Sequence, residues 1–243
     1  MIYMNDIKIN YKLILCLIVA FLCIFIYNFF SHKKGVNNHL SIIPKNCFYN
    51  KNIKNIVYNK VIIVGDSRME FLHNRKKNIN IPVNFNFIAL GGTKIDWFEE
   101  CAIKELEKKL DNMNDNYKYH VVINMGVNDL NDNLSAKKHA DDYFYLINKL
   151  YSKYSNVNFY IMSVNPINDI VINKRVFSQN RSTLKIKEFN SEIIRLKNVY
   201  NCDRLIYCDS FNDVDFVIPD GLHYDKATDQ RIVDYIVNDC VRY

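Results

Sequence analysis

The chain has 243 residues, of which 49% are hydrophobic and 24% charged, and its formal net charge is +6. These values are typical of one globular domain with a short additional segment, and the presence of only 6 Gly and 4 Pro excludes collagen-like and Pro-rich architectures. The basic residues are scattered among acidic ones and no zinc-finger or RNA-binding signature occurs, so we expect no nucleic-acid partner.

The first predicted element is an uncharged apolar run from Leu13 to Phe30. A run of this length can cross the hydrocarbon core of a bilayer as a helix. The residues that follow, 31–34, read SHKK and offer no small-residue cleavage site. We therefore predict a retained signal anchor rather than a cleaved signal peptide. Lysines lie on both sides of the run, so charge alone leaves the orientation in the membrane open.

The chain is accordingly divided into three predicted parts. Residues 1–34 are expected to form a cytoplasmic stub and a single-pass transmembrane anchor in the cell membrane. Residues 35–58 form a tether that contains Gly, Asn, Ser and Pro, and residues 59–243 form a globular domain on the extracytoplasmic side. We expect a monomer that contacts the membrane through its N-terminal helix.

Short apolar runs beyond the tether predict the strands of a buried sheet. They are Lys60–Val64, Asn84–Ala89, Tyr119–Met125, Val157–Val164 and Arg204–Cys208. Helical patterns lie between or after them, at Trp97–Leu110, His139–Tyr154, Ser182–Val199 and Lys226–Val241. Runs that are apolar on both faces and alternate with helices indicate a three-layer α/β/α domain around a parallel sheet.

Four short motifs lie just after predicted strands or just before the last helix. They are GDSR at 65–68, GG at 91–92, GVND at 126–129 and DGLHY at 220–224. Loops at the carboxyl ends of parallel strands meet at one edge of the sheet, where ligands bind. Together the motifs supply a nucleophile, oxyanion donors, a base and an acidic residue that orients the base, which is what acyl transfer requires.

A hydroxyl, an imidazole and a carboxylate in these motifs predict a catalytic triad. In this interpretation Ser67 is the nucleophile, at the start of a helical turn whose N–H groups favour developing negative charge. His223 is its general base. Asp220, three residues earlier on the same loop, accepts a hydrogen bond from one ring nitrogen and so directs the other towards the serine.

The remaining motif residues predict an oxyanion hole and one substrate contact. The donors are the Asn128 side-chain amide and the backbone N–H groups of Ser67 and Gly92. Gly91 competes with Gly92 for this role. Arg68, next to the nucleophile, is a candidate for binding an anionic group of the substrate, and a surface charge in the first helical turn is the alternative.

GDSR, GG, GVND and DGLHY, in this order, resemble the four blocks of the SGNH/GDSL hydrolase superfamily. The resemblance runs from about residue 59 to the C-terminus. SVNP at 163–166, EFN at 188–190 and DW at 96–97 resemble the clostridial, membrane-anchored members in particular. The resemblance implies a flavodoxin-like, five-stranded parallel sheet of order 2-1-3-4-5. It also implies that the four residues that name the superfamily are Ser67, Gly92, Asn128 and His223.

The resemblance implies a serine ester hydrolase that removes short acyl groups, expected to be acetyl. The expected substrates are acylated small molecules or polysaccharides of the cell surface. Two alternatives stay open: an O-acyltransferase acting on surface glycans, and an inactive module that binds glycans in the same cleft. Chemistry of the Ser-His-Asp type needs neither a metal nor a cofactor, and the sequence has no metal-ligand spacing such as HExxH.

The 7 cysteines do not predict a disulfide framework. Cys16 and Cys23 fall in the apolar N-terminal run, and an odd number lies beyond it. The later cysteines are Cys47, Cys101, Cys202, Cys208 and Cys240. For Cys202 and Cys208 we expect buried free thiols, and a disulfide between these two is the alternative.

Overall fold

The computed structural model describes residues 58–114, 116–174 and 180–242. The predicted membrane anchor, and all of the predicted tether except its last residue, lie outside these ranges. Within the described residues, no helix has both the length and the apolar character needed to span a bilayer.

The described residues form a parallel sheet at the centre of the domain. Its strands are β1 (Tyr58–Gly65), β2 (Phe85–Ala89), β3 (Tyr117–Asn124), β4 (Val157–Met162) and β5 (Leu205–Cys208). All neighbouring pairs are parallel, and the order across the sheet is β2-β1-β3-β4-β5. The predicted five-stranded sheet of order 2-1-3-4-5 is confirmed.

The end of β4 differs from the prediction, which extended the strand to Val164. The strand ends at Met162 because the backbone of Val164 forms hydrogen bonds with a side chain instead of with a neighbouring strand. Its N–H donates to Oδ1 of Asn190 at 2.9 Å, and its carbonyl accepts from Nδ2 of Asn190 at 2.9 Å. The side chain of Asn190 thus replaces the backbone hydrogen bonds that a neighbouring strand would form with Val164.

Helices connect the strands and follow the last one. They are α1 (Ser67–Asn74), α2 (Ile95–Trp97, then the π-helical Phe98–Ala102, then Ile103–Asp111), α3 (Ala136–Lys153), α4 (Asp169–Ile172), α5 (Thr183–Tyr200), α6 (Ser210–Asp213) and α7 (Lys226–Tyr235, then the π-helical Ile236–Cys240). A single 3-10 turn, Asp129–Asn131, follows β3 among the described residues.

Polar side chains determine where the main helices begin. Ser135 caps α3 by accepting from the N–H of Lys138 at 3.1 Å, so the helix starts at Ala136 and not at the predicted His139. Helices α1, α5 and α7 begin in the same way, with caps at Asp66, Ser182 and Asp225. Each cap satisfies a backbone N–H that a helix leaves unpaired at its first turn.

The sheet is buried on both faces, as the strand pattern predicted. Ile62 and Val64 of β1 pack into the core layer that contains α2, α3 and α5. Val61 and Ile63 point to the opposite face, into the core layer that contains α1 and α7. Each of these four side chains is at most 2% exposed, and burying one contributes about 2 kcal/mol. The architecture is therefore a three-layer α/β/α domain.

The prediction of free thiols at Cys202 and Cys208 was wrong, because both residues are disulfide-bonded. Cys208, at the end of β5, forms a disulfide with Cys240, at the end of α7, and their Cα atoms lie 5.4 Å apart. This bond excludes the alternative Cys202–Cys208 pair. The two half-cystines are 32 residues apart in sequence, and only the fold brings them within disulfide distance. Cys101 is free and exposed among the described cysteines.

Candidate active site

The predicted site residues gather at the carboxyl edge of the sheet. Ser67 is the first residue of α1, directly after β1, and the side chain of Asp66 caps this helix. The capping carboxylate accepts from the N–H of Arg68 at 3.1 Å. Ser67 is 7% exposed and lies at the positive end of the helix dipole.

A hydrogen-bonded chain joins Ser67, His223 and Asp220. Ser67 Oγ lies 2.9 Å from Nε2 of His223. Nδ1 of the same ring lies 2.7 Å from Oδ2 of Asp220. An ionised carboxylate can only accept, so Nδ1 carries the proton and Nε2 is left to accept from the serine hydroxyl. The arrangement therefore leaves Nε2 ready to accept the proton of Ser67.

Asp220 is ionised and is held by more than the imidazole. Its Oδ1 accepts from the backbone N–H of Leu222 at 2.8 Å and of His223 at 2.6 Å. Burial alone would raise the pKa of Asp220, but the hydrogen bonds from the His223 ring and from these two N–H groups lower it to about 2. A carboxylate that stays charged stabilises a positive charge on the neighbouring imidazole.

The loop that carries His223 needs a glycine at its second position. Gly221 has a φ of +89°, and a Cβ atom there would lie 2.9 Å from the backbone nitrogen of Ile172. Its carbonyl accepts from the N–H of Asn168 at 3.0 Å, which ties the loop to the segment before α4. The backbone conformation therefore requires the glycine of the DGLHY motif, in addition to the chemistry proposed for Asp220 and His223.

Asn128 follows β3, the strand next to β1, and its side-chain amide is fixed at both ends. Nδ2 donates to the carbonyl of Thr93 at 2.9 Å, and Oδ1 accepts from Nη2 of Arg181 at 2.9 Å. These two partners determine which end of the amide is which. The amide has two N–H hydrogens, so one remains after the bond to Thr93.

The two candidate glycines lie in different surroundings. A Cβ atom on Gly91 would lie 3.7 Å from Cβ of Ser67 and 2.7 Å from Oε2 of Glu70. Gly92 has a φ of +73°, a conformation that favours glycine, and no atom lies within 4 Å of the position of its Cβ. Gly91 therefore adjoins the nucleophile and Gly92 opens to solvent. The assignment of the oxyanion donor to Gly92 stays a prediction.

Comparison with known proteins supports the same architecture. No family model and no curated protein matches the chain. A member of the lipolytic G-D-S-L family from Veillonella parvula superposes with a TM-score of 0.52 at 13% identity, over 77% of this chain and 100% of that one. A carbohydrate esterase family 3 protein from Talaromyces cellulolyticus gives 0.52 at 15% identity, over 73% and 93%. An acetyl esterase solved with acetate gives 0.51 at 17% identity, over 73% and 93%.

The chain has the SGNH/GDSL hydrolase fold. The order of its strands, the place of each motif at the sheet edge and the structural neighbours agree on this point. The SGNH fold explains why residues as far apart in sequence as Ser67 and His223 lie within hydrogen-bond distance. In a parallel sheet the loops after the strands lie at one edge. The loop that carries His223, between α6 and α7, is held to the start of α1 by the hydrogen bond from Arg68 to the carbonyl of Leu222.

The prediction for Arg68 does not agree with its position in the SGNH fold. Its side chain is buried, with the residue 1% exposed. Nε donates to the carbonyl of Leu222 at 3.1 Å, Nη1 to that of Asn165 at 2.8 Å and Nη2 to that of Pro166 at 3.0 Å. Its guanidinium also lies 4.8 Å from the ring centre of Tyr224. Arg68 thus binds backbone carbonyls beneath the site rather than facing a substrate.

Asp129, the last residue of GVND, organises the loops of the site. Its Oδ1 accepts from the N–H of Ile95 at 3.0 Å, and its Oδ2 from the hydroxyl of Tyr143 at 2.9 Å. Burial raises the pKa of this carboxyl, and the two hydrogen bonds oppose that effect. The residue therefore links the loop after β3 to the start of α2. No group of three or more His, Cys, Asp or Glu side chains within the described ranges is placed to hold a metal ion.

Sequence reasoning missed three residues around the site. Glu70 and Phe71 follow Ser67 by three and four positions on α1, so they share its face of the helix. The Phe71 ring meets the His223 ring edge-on, with centres 4.5 Å apart, and the residue is 36% exposed. That helical spacing was a signal that could have identified both. Arg181 lies outside every motif, and no local pattern marks it.

Proposed function

We propose that the domain is a serine carboxylic ester hydrolase that removes short acyl groups, with acetyl foremost, from carbohydrate. One observation carries the proposal: the continuous chain from Asp220 through His223 to Ser67, with distances of 2.7 and 2.9 Å. Structures with the same fold include proteins described as a carbohydrate esterase and an acetyl esterase, which supports the choice of substrate.

Acylation begins when Nε2 of His223 takes the proton of Ser67. The serine oxygen attacks the ester carbonyl carbon and forms a tetrahedral intermediate with a negatively charged oxygen. The bond to the alcohol then breaks, and His223 gives its proton to the leaving oxygen. Asp220 stays ionised throughout and stabilises the imidazolium, consistent with its pKa of about 2.

Deacylation repeats these steps with water as the nucleophile. His223 takes a proton from water, and the hydroxide oxygen attacks the acyl carbon on Ser67. The bond to the serine oxygen breaks, His223 returns the proton to Ser67, and the carboxylic acid leaves. In both halves the N–H groups of Ser67 and Gly92 and the remaining amide hydrogen of Asn128 bind the oxyanion.

We also propose that the domain works outside the cytoplasm on a single-pass membrane anchor. The apolar run from Leu13 to Phe30 supports the anchor. The Cys208–Cys240 disulfide supports the orientation, because disulfides persist in oxidising compartments and are rare in the cytosol. Acylated polysaccharide of the cell surface would then lie within reach of the site.

The test is hydrolysis of p-nitrophenyl acetate by the full-length protein in detergent. Ser67→Ala is expected to reduce turnover to near the uncatalysed rate, because no other hydroxyl is placed beside His223 in the described structure. Ser191→Ala, an exposed serine on α5, is the matched control and should retain wild-type turnover. A fluorophosphonate should label the wild-type protein once, on Ser67, and should not label Ser67→Ala.

Other outcomes point to other functions. Wild-type turnover by Ser67→Ala would contradict the proposal. Release of acetate that falls when an acceptor sugar is added would indicate an acyltransferase. Binding of acetylated glycans without turnover and without fluorophosphonate labelling would indicate a glycan-binding module. A screen for acetate release over acetylated glycans then narrows the substrate.

A further inference from the structure

Arg181 reaches the candidate oxyanion hole from the segment before α5. Nε donates to the carbonyl of Val127 at 2.9 Å, and Nη2 donates to Oδ1 of Asn128 at 2.9 Å. The side chain is partly buried. One guanidinium thus binds two consecutive residues of the GVND loop with its fixed fork of donors, a geometry that a lysine does not reproduce.

The contact with Asn128 controls the direction of the side-chain amide. If the amide rotated by half a turn, its NH₂ group would face the guanidinium and its oxygen would face the Thr93 carbonyl, which accepts at 2.9 Å in the observed orientation. Donor would then meet donor and acceptor would meet acceptor, and the buried polar groups left unpaired disfavour the rotated amide. Asn128 is 5% exposed, so water does not relieve that cost.

We propose that Arg181 is a positioning residue for the reaction, holding and polarising the Asn128 amide so that its remaining N–H binds the oxyanion. This inference rests on the proposed ester hydrolase function. A charge-assisted hydrogen bond at Oδ1 is roughly twice as strong as a neutral one and withdraws electron density from the amide. The NH₂ group at the other end becomes a better donor. Arg181 acts through Asn128 and needs no contact with the reacting atoms.

The electrostatics are consistent with a cation in this position. Burial lowers the pKa of Arg181, and the charge of Arg68 lowers it further, while Asp66 and Asp129 oppose both. An arginine remains charged under such conditions. A fixed positive charge at the Asn128 end of the site favours the negative charge that develops on the substrate oxygen.

A double-mutant cycle on the full-length protein tests the proposal with p-nitrophenyl acetate. Arg181→Ala is expected to lower kcat by roughly 10- to 100-fold, and Asn128→Ala by roughly 100- to 1,000-fold, with KM nearly unchanged in both. In the Asn128→Ala background, Arg181→Ala should change kcat by less than about twofold. Arg181→Lys should recover part of the loss, and exposed Arg195→Ala should leave kcat unchanged.

The cycle separates a role through Asn128 from a general one. If Arg181→Ala lowers kcat equally with and without the Asn128 amide, the residue acts by folding or bulk charge and the positioning role is refuted. Thermal unfolding of each variant accounts for any loss of folded protein. The proposed function fails separately, through absence of Ser67-dependent turnover in the wild type, and that result removes the role of Arg181 with it.

Discussion

Arg68 binds the carbonyl of Leu222 with Nε at 3.1 Å, so the residue after Ser67 holds the residue before His223. The same guanidinium also binds the carbonyls of Asn165 and Pro166, after β4. Three segments from different parts of the chain are thereby joined beneath Ser67 and His223. The distance between the serine hydroxyl and the imidazole therefore depends on a side chain that does no chemistry.

Arg68→Lys is expected to lower kcat at least tenfold on every ester, because one ammonium cannot reproduce the three-way contact and buried carbonyls lose their donors. The measurement compares p-nitrophenyl acetate with a p-nitrophenyl ester whose acyl group carries a carboxylate. Equal losses of kcat on both esters would agree with the observed burial of Arg68. A loss confined to the anionic ester would restore the substrate-binding role that the sequence predicted.

Asp220→Asn is expected to lower kcat by roughly 10²–10⁴. The amide oxygen can still accept from the N–H groups of Leu222 and His223, so the loop should keep its shape. The amide NH₂ would face Nδ1 of the imidazole and favour the wrong tautomer. Steady-state kinetics with circular dichroism as the folding control checks this. Wild-type kcat in a folded Asp220→Asn protein would show that His223 needs no orienting carboxylate.

Glu70 is expected to favour cationic over neutral substrates, since its carboxylate lies against Gly91 beside the nucleophile. Acetylcholine and its neutral isostere 3,3-dimethylbutyl acetate differ only in charge. Glu70→Gln should lower the ratio of their kcat/KM values by roughly fivefold, the equivalent of about 1 kcal/mol for a close charge pair in water. Glu105→Gln, an exposed carboxylate on α2, is the control with the same charge change. An unchanged ratio at low salt would leave Glu70 outside the substrate site.

His120 is expected to make the domain less stable in mild acid. Burial lowers its pKa to about 4, with the charge of Lys118 a smaller cause. Between pH 6.5 and 4 the unfolded chain binds a proton there that the folded chain does not, so stability falls as the pH falls. At pH 5 the loss should be about 2 kcal/mol.

Urea unfolding at pH 7 and pH 5 measures this effect. His120→Asn should flatten the pH dependence, because an amide does not titrate in this range. The matched control is His73→Asn, at a partly exposed ring that stacks on Phe87. If the free energy of unfolding falls equally in wild type and His120→Asn between the two pH values, the prediction for His120 is contradicted.

The Cys208–Cys240 bond closes a loop of 32 residues. Chain entropy predicts that such a cross-link contributes about 4 kcal/mol to the free energy of unfolding. The double variant Cys208→Ala, Cys240→Ala should show this loss in urea unfolding. Cys101→Ala, at the free and exposed cysteine, should unfold like the wild type. Identical unfolding of the double variant would mean that the two cysteines are not joined in the protein as purified.

The sheet and the motif loops were predictable because both follow from short-range patterns. Runs such as VIIV at 61–64 are apolar on both faces, which is typical of a doubly covered parallel strand. Once strands alternate with helices, topology alone brings the loops after them to one edge. The sequence pattern therefore predicts that Ser67, Asn128 and His223 lie at the same edge.

What sequence reasoning missed depends on long-range contacts. Arg68 looked like a surface charge or a substrate ligand because nothing near it in sequence reveals the carbonyls of residues 165, 166 and 222. Arg181 stands 53 positions from the asparagine it binds. The disulfide likewise joins two element ends that only packing makes adjacent. Side-chain partners across the fold cannot be inferred from periodicity.

The bond between Cys208 and Cys240 has a further consequence, since Asp220 and His223 both lie between its two ends. Residues 208–240 form a covalent ring, which the disulfide closes between the end of β5 and the end of α7. A protease that cuts once inside the ring leaves both new ends attached to the same molecule. A single cut inside this ring therefore leaves the imidazole of His223 and the carboxylate of Asp220 attached to the rest of the domain.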